Sequence, residues 1–508
     1  MSDLVLLPKV TGGDVELGNF ISGSVRAQGT GSQASRILLR SIVAGTAAVP
    51  AETLSRFTGV RLIGPAGRRL RRSDPQDAGR VFLPANGGSV YIDLDHLELC
   101  LPEVRSAADH VAAWHAMLRI AQDGLARANR DRNPARKVRA LVNNSDGWGN
   151  SYGGHLNLMI SRPAWDGIMR RRLHHLAFLA SCQASAVLFT GQGKVGSEND
   201  QPPAAFQLSQ RADFIETLIG PQTTFFRPLV NSRDEPHSDH ARLHLISFDT
   251  TLAQCACLLR VGIIQLALAM IEAGWVNPAL ALDDPVNALQ RWSRDPLLET
   301  RVPLATGEPV SAIELQRRFC DEAAAFAARV DLAGLVPGAD AILSLWADTL
   351  DRLGRQDWPA LARRLDWVAK LGLIQRAFHR RPELGWESPE AKYLDHLYSS
   401  LDPEEGLYWA FSRAGLFDSV VEEDRIAALT SAPPPDTRAS LRARMLREAH
   451  LLEIDRVDWS EIRFRLRGEP GLRIIAMPDP LATAGSLEPF RAAEAPAAPS
   501  RKRRRKAG

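Results

Sequence analysis

The sequence predicts an α+β fold, in which helices pack against an antiparallel sheet that forms a cradle, followed by a small C-terminal α/β domain. Three observations predict it. The first 250 residues contain short segments of alternating polarity, which is the period of half-exposed strands. From about residue 255 the apolar residues recur at helical spacing. A Pro-rich break at 432–435 then precedes one helical segment, 436–452, and two strand-like segments, around 459–466 and 472–476.

Four segments of the first part place apolar residues on one face and acidic or imidazole residues on the other. They are 13–18, 89–95, 155–158 and 242–245, and successive side chains of a strand point to opposite faces. Their polar faces include Asp14, Glu16, Tyr91, Asp93, His155 and His244. A half-exposed strand explains any one segment equally well. Four together favour a concave face that binds Mg²⁺ through carboxylates.

Three loops accompany these strands. Segments 143–154 and 190–196 are rich in Gly, and 227–237 has a high density of charged groups. Glycine allows a backbone to approach a ligand closely, although a lone Gly-rich loop is a weak signal. Ordinary turns and a salt-bridged surface loop are the alternatives.

The second part of the chain predicts packed helices. Segment 311–331 opens with Ser311 and Glu314, which have the spacing of a capping box. Segments 339–355 and 359–378 have the same helical pattern. The most apolar stretch, 255–276, is interrupted by three polar residues, which favours a core helix over a membrane span.

The domain boundaries follow from changes in composition. We predict one large domain over 1–430, with a mobile polar loop at 61–80, and a small C-terminal domain over 431–479. The last segment, 480–508, is rich in Ala, Pro and then basic residues, so we predict a disordered tail.

Charge and cysteine usage exclude several classes of protein. The chain has 62 Lys and Arg against 59 Asp and Glu, and six of the positive charges lie in 501–506. The body is therefore slightly acidic, and we expect no nucleic-acid binding by it. Five cysteines without a CxxC pair support neither a disulfide framework nor a structural zinc site. The N-terminus has no signal-peptide pattern, so we expect a cytoplasmic protein without a membrane partner.

Several longer motifs carry a resemblance. They are GGDVELG, NGGSVYIDLDHLELCLPE, NNSDGWGNSYGGHLN, TGQGKVG, FQLSQRADFIET, RPLVNSRDEPHSD, RLHLI, LDPEEGLYW and PPPDTRASLRARML. With these motifs the chain resembles the Pup ligase and Pup deamidase/depupylase family over residues 11–466. The family consists of carboxylate–amine ligase relatives of glutamine synthetase, so the resemblance implies a glutamine-synthetase-like sheet cradle.

Within that family, the sequence resembles the deamidase branch. TGQGKVG and FQLSQRADF are similar to its motifs, Asp93 and Glu98 have its shorter spacing, and 61–80 is long enough for its additional loop. The resemblance implies a hydrolase, dependent on Mg²⁺ and ATP, of amide or isopeptide bonds on a Pup-like tag. Its partners would be this small disordered tag and its conjugates. The alternatives are an ATP-dependent ligase that joins a tag glutamate to a lysine, and a catalytically silent homologue that binds nucleotide or tag.

The resemblance also implies roles for individual residues. Asp93 matches the catalytic aspartate, either as nucleophile or as base. Trp459 matches a nucleotide-contacting residue, and Arg211 and Arg233 are candidates for phosphate contact. The implied metal ligands are Asp14, Tyr91 and Glu98, and we expect Glu16, His155 and His244 to line the same site.

The sequence departs from the family pattern at several of these positions. Asp14 replaces a glutamate, and Leu156 replaces the acid of the family's HEN motif. Ser89 and Leu101 replace a nucleotide-contacting Arg and a Thr or Ser, and 248–251 also differs. Since a charged phosphate contact is strong, its loss is expected to weaken nucleotide binding. The silent homologue therefore stays an alternative.

Overall fold

The computed structural model describes residues 6–24, 27–46, 80–234, 239–448 and 451–483. Of the predicted mobile loop, only Arg80 belongs to these ranges. Most of the predicted basic tail, from residue 484 onward, also lies outside the described residues.

A large, mostly antiparallel sheet forms the centre of the protein. Its strands run in the order β2-β3-β4-β1-β6-β11-β10-β9, and β5 pairs with the end of β1. The strands are β1 Thr11–Ile21, β2 Val81–Phe82, β3 Ser89–Asp93, β4 His96–Cys100, β5 Val138–Leu141, β6 Gly154–Ser161, β9 Ile215–Gly220, β10 Arg227–Asn231 and β11 His240–Leu245. β9 and β10 are parallel, whereas the other neighbours pair antiparallel. All four segments predicted from alternating polarity contain strands, but β3 ends at Asp93, and Leu94 of the predicted segment 89–95 is exposed in a turn.

Two short ladders lie outside the large sheet. They are β7 Lys194–Val195 with β8 Phe206–Gln207, and β12 Arg301–Pro303 with β13 Pro309–Ser311.

The helices pack against the apolar face of the sheet and against each other. They are α1 Gly31–Thr46, α2 Ala107–Asn129, α3 Arg162–Asp166, α4 Leu173–Ser185, α5 Val187–Thr190, α6 Gln254–Glu272, α7 Pro285–Ser293, α8 Ala312–Ala327, α9 Ala339–Gly354, α10 Trp358–Leu361, α11 Asp366–Arg380, α12 Pro389–Tyr398, α13 Leu407–Arg413, α14 Glu423–Leu429 and α15 Arg438–Arg447. Ser311 and Glu314 form the predicted capping box at the start of α8.

Two helical stretches have the length and composition of a membrane span. They are Leu173–Thr190 and Gln254–Glu272, and 83% and 94% of their residues, respectively, are buried inside the protein. α6 carries Arg260 and Glu272 among its buried residues, and both have partners: Arg260 donates to the Asp249 carbonyl, and Glu272 pairs with Lys9.

The predicted helix over 359–378 is two helices, α10 and α11. Asp366 starts the second one, and its carboxylate accepts hydrogen bonds from the backbone N–H groups of Leu252 and Ala253, just before α6. Its other contact is the Tyr398 hydroxyl, at 2.7 Å. Burial raises the pKa of Asp366 to about 6, although these hydrogen bonds act to lower it. A tertiary contact therefore sets the helix start that local periodicity misses.

The C-terminal segment consists of α15 and a three-stranded antiparallel sheet. Its strands are β14 Leu452–Val457, β15 Glu461–Leu466 and β16 Arg473–Ala476. The sequence analysis extended the helix to residue 452, but α15 ends at Arg447. Leu452 and Ile454 are buried and alternate with exposed neighbours, which is the period of a strand. A domain boundary near residue 430 stays a prediction.

Glu103 connects this segment to the large sheet. It follows β4, and its carboxylate accepts hydrogen bonds from Arg438 Nε, at 2.6 Å, and from Arg442. Burial alone would raise the pKa of Glu103, but the charges of Arg442 and Arg438 outweigh it and lower the pKa to about 2. The fully buried Arg442 depends on this carboxylate for its charge balance.

We predict that Glu103→Gln destabilises the protein by about 3 kcal/mol, because it leaves a buried guanidinium without its anion. Urea denaturation measures the loss. Since the folded pKa is depressed, the contribution is present above the ordinary pKa of 4.5 and disappears as pH falls towards about 2. The two unfolding curves should therefore converge at acidic pH. The control Glu308→Gln, in an exposed pair with Arg318, should leave stability unchanged; equal stability of Glu103→Gln would contradict the prediction.

Candidate active site and metal centre

All ten residues selected from the sequence line one cavity of about 1370 Å³ on the polar face of the large sheet. They are Asp14, Glu16, Tyr91, Asp93, Glu98, His155, Arg211, Arg233, His244 and Trp459. The structure thus gathers residues from nearly the whole length of the chain, and their individual roles stay predictions.

Strand register brings the acidic residues together. In the ladder of β1 with β4, Asp14 pairs with Cys100 and Glu16 with Glu98. On the far side of β4, Glu98 pairs with Tyr91 of β3. Because residues directly opposite each other share a face of the sheet, these side chains all point to the polar side. On the other face, Val15, Leu17, Leu97 and Leu99 are fully buried, which holds the register in place.

Two groups of three side chains could hold metal ions among the residues that the structure describes. The first is Asp14, Glu98 and His155, and the second is Glu16, Asp93 and Glu98; within each group the ligand atoms lie within 4.8 Å of one another. Glu98 belongs to both. Its Oε2 is buried and has no hydrogen-bond partner within the described ranges. Carboxylate oxygens with one imidazole suit a hard divalent cation such as Mg²⁺ or Mn²⁺.

Burial and mutual repulsion raise the pKa values of two carboxylates in this cluster. Burial raises the pKa of Glu98 well above its ordinary value, and Asp14 and Glu16 raise it further. Burial, followed by the charge of Glu16, also raises the pKa of Asp93. Like-charged carboxylates at this spacing repel each other, and a bound cation removes that repulsion.

His155 sits between the two acids of β1. Its Nδ1 lies 3.9 Å from Asp14 Oδ2, and its Nε2 lies 3.9 Å from Glu16 Oε1. Burial lowers the pKa of His155, although the negative charges of Glu16 and Asp14 act to raise it. The neutral imidazole, which is the form that binds metals, is therefore favoured. A Cβ on Gly153 would lie 1.9 Å from His155 Nε2, so glycine is required at this approach.

Asn157 connects Asp14 with His244, and the sequence analysis did not select it. Its Nδ2 donates to Asp14 Oδ2 at 2.9 Å, and its Oδ1 lies 2.7 Å from His244 Nδ1. Its Oδ1 also accepts a hydrogen bond from Arg242 Nη1 at 2.6 Å. Burial and the charge of Arg242 lower the pKa of His244. His244 lies outside both acidic groups but packs against His155, with 4.9 Å between ring centroids.

Arginines line the part of the cavity near β10 and β11. Arg211 is buried, and its side chain donates to the Ile246 carbonyl and to Ser151 Oγ. Burial, followed by repulsion from Arg227, lowers the pKa of Arg211 to about 9. Arg227 donates to the Ser151 carbonyl at 2.8 Å. Arg233 also lines the cavity, but its residue is exposed.

Trp459 reaches the opposite part of the cavity from the C-terminal segment. Its ring packs edge-on against Phe82 of β2, with 5.0 Å between centroids. The Arg442 guanidinium lies 4.7 Å from the centroid of the Trp459 ring, and Nη1 donates to the Trp459 carbonyl at 3.3 Å. The pair of Glu103 and Arg442 thereby positions Trp459 at the site.

Comparison with known proteins now identifies the family. The family described as Pup-ligase protein matches residues 22–463, which is most of the chain. The chain belongs to the Pup ligase family. The family and the fold predicted from the sequence are confirmed.

Relatives of this Pup ligase family member include both hydrolases and ligases. This chain is 35% identical over 426 residues to the Pup deamidase/depupylase of Mycolicibacterium smegmatis, and the match covers 83% of this chain and 81% of that protein. This chain is also 34% identical over 400 residues to the depupylase of Acidothermus cellulolyticus, in a match that covers 78% of this chain and 77% of that protein. Finally, it is 34% identical over 398 residues to the Pup–protein ligase of Kribbella flavida, in a match that covers 76% of this chain and 84% of that protein.

Solved structures agree with this assignment. The Pup ligase PafA in complex with ADP aligns with a TM-score of 0.71 and 26% identity, over 86% of this chain and 92% of that one. The complex between Pup and its ligase PafA aligns with a TM-score of 0.78, over 94% of this chain and 90% of that one. The two sequences are 24% identical, so this comparison shows similarity of fold alone.

We predict that Glu98→Gln raises the melting temperature of the metal-free protein by about 2 °C, because it removes one of the mutually repelling charges. The folded pKa of Glu98 is raised, so its charge destabilises the protein at neutral pH, and the difference should shrink as pH falls. Thermal denaturation with and without Mn²⁺ measures both effects.

In the same experiment, Mn²⁺ should stabilise the wild type and the control Glu387→Gln, which changes an exposed residue. It should leave the melting temperature of Glu98→Gln nearly unchanged. An equal Mn²⁺ shift in all three proteins would show that the cation binds elsewhere.

Proposed function

We propose that this protein hydrolyses amide or isopeptide bonds on a Pup-like protein tag, in a reaction that depends on Mg²⁺ and a nucleotide. The observation that carries the proposal is the position of Asp93 beside Glu16 and Glu98, at the cavity where both acidic groups meet. The relatives confirm the predicted class of function, since several of them are named Pup deamidases or depupylases.

Asp93 is suited to act on a carbonyl. It ends β3 and is only partly buried, so its carboxylate remains open to the cavity. Burial and Glu16 raise its pKa, and a raised pKa makes a carboxylate a stronger proton acceptor. Asp93 would either attack the carbonyl itself or remove a proton from the water that attacks it.

The chain's own residues would hold the metal and the nucleotide. Asp14, Glu98 and His155 form one ligand set, with Glu16 and Asp93 adjacent, and Tyr91 and Trp459 extend the site towards β2. Bound Mg²⁺ would supply positive charge that neutralises the nucleotide phosphates and stabilises the negative charge that develops on the reacting carbonyl oxygen.

The mouth of the cavity suits a protein substrate. Leu94, Trp148 and Phe225 line it, and they are 74%, 75% and 74% exposed, respectively. Exposed apolar side chains around a polar cavity are typical of surfaces that bind another protein. The arginines near β10 and β11 would attract carboxylates of the tag.

The second candidate function is a ligase that joins a tag glutamate to a lysine with the use of ATP. The Kribbella relative named Pup–protein ligase favours it, at 34% identity over most of the chain. The deamidase-like motifs TGQGKVG and FQLSQRADF favour the hydrolase. A silent homologue is disfavoured because both acidic groups are complete.

The first test uses Asp93→Asn with MgATP and two substrates, a Pup-like tag that ends in glutamine and a preformed tag–lysine conjugate. We expect a loss of turnover of about 10²- to 10⁴-fold, as for removal of a general base. Mass spectrometry follows deamidation, and gel electrophoresis follows loss of the conjugate. Asp131→Asn, in an exposed position, is the control.

Incubation with a glutamate-ended tag and a lysine-bearing target discriminates between the two functions. New conjugate without cleavage of the old one would contradict the hydrolase and support the ligase. Inactivity of the wild type in both directions would support the silent homologue.

A further inference from the structure

Arg80 occupies a defined position at the β2 end of the cavity. It directly precedes β2, whose Val81 pairs with Val90 and whose Phe82 pairs with Ser89. The same antiparallel register places Arg80 opposite Tyr91, on the polar face. Arg80 lines the cavity together with Tyr91 and Trp459.

The guanidinium of Arg80 lies between two aromatic rings. Its Cζ is 4.6 Å from the Tyr91 ring centroid and 5.6 Å from the Trp459 ring centroid. The guanidinium also forms a hydrogen bond with the Tyr91 side chain, whereas its buried Nε has no hydrogen-bond partner among the described residues. An arginine is permanently charged and presents several N–H donors, so this side chain keeps donor capacity that the described part of the protein does not use.

The strand order gives the cavity three parts. The acidic groups lie on β1, β3, β4 and β6, and Arg227 and Arg242 lie on β10 and β11. Arg80 lies at the β2 end, between Trp459 and the acidic cluster, where Arg438 also lines the cavity. A nucleotide with its base near Trp459 and its phosphates on the metal must pass this guanidinium.

We propose that Arg80 binds a phosphate group of the nucleotide, and that it provides from β2 the positive charge that the chain lacks at Ser89. The inference rests on the proposed function. Ser89 lies on the same face of β3 as Tyr91 and pairs with the residue two positions after Arg80. The two positions therefore lie close together on the same face of adjacent strands, although Ser89 itself is fully buried and only Arg80 of the two lines the cavity. Planar guanidinium groups form strong, charge-assisted hydrogen bonds to phosphates.

Isothermal titration calorimetry with MgATP tests this inference. We expect Arg80→Ala to weaken binding about 10- to 100-fold, as for loss of a charged hydrogen bond. The control Arg136→Ala removes an exposed arginine and should bind as the wild type does. The double variant R80A/S89R, which moves the arginine to the adjacent strand, should recover at least about tenfold in affinity.

The outcomes separate the two proposals. If the wild type does not bind MgATP, the proposed function fails and this inference fails with it. If the wild type and Arg80→Ala bind equally, only the inference fails. Thermal denaturation verifies that each variant is folded. A folded R80A/S89R protein that recovers no affinity would show that Arg80 only holds the two rings together, and would overturn the inference. If the double variant does not fold, the comparison of Arg80→Ala with Arg136→Ala decides.

Discussion

Repulsion between the carboxylates that meet on β1, β3 and β4 is the constraint on which the rest of the structure depends. Asp14, Glu16, Asp93 and Glu98 are held close by strand pairing, although burial and proximity raise the pKa values of Asp93 and Glu98. The opposite face of the same strands is a fully buried apolar layer, which stabilises the register. The apolar face therefore offsets the cost of an acidic face at which we propose that a cation binds.

The cavity depends on both parts of the chain. Its floor is the large sheet, but Trp459 comes from the C-terminal segment and is positioned by Arg442, which pairs with Glu103 just after β4. Glu103 lies five residues after Glu98 in sequence. A short stretch of chain thus supplies both a proposed metal ligand and the anion that docks the C-terminal segment, so we expect a change in docking to alter the end of the cavity near Trp459.

The sequence predicted those features that local patterns determine. Alternation with period two placed Asp14, Asp93, His155 and His244 on one face, and the capping box located the start of α8. It missed β14, because the helical pattern was extended across residues 448–452. It also missed the break before Asp366, because that residue binds backbone groups more than 100 positions away in sequence.

Local sequence patterns could not predict contacts between side chains on different strands. Asn157 lies on a polar face that was recognised, but its contacts with Asp14 and His244 depend on the order of three strands. Arg80 looked like the end of a polar loop, and only pairing with β3 places it beside Tyr91. Alternating polarity and the family resemblance together located the ten site residues, whereas the structure explains how distant strands bring them together.

Anomalous diffraction from crystals grown with Mn²⁺ and a non-hydrolysable ATP analogue tests the central claim most directly. Our account predicts an anomalous peak for a Mn²⁺ ion that is coordinated either by Glu98, Asp14 and His155 or by Glu98 and Glu16. It also predicts that phosphate oxygens of the ATP analogue lie on the side of this ion that faces Trp459. A protein that hydrolyses tag conjugates with Mn²⁺, yet shows no peak among these acids, would contradict it.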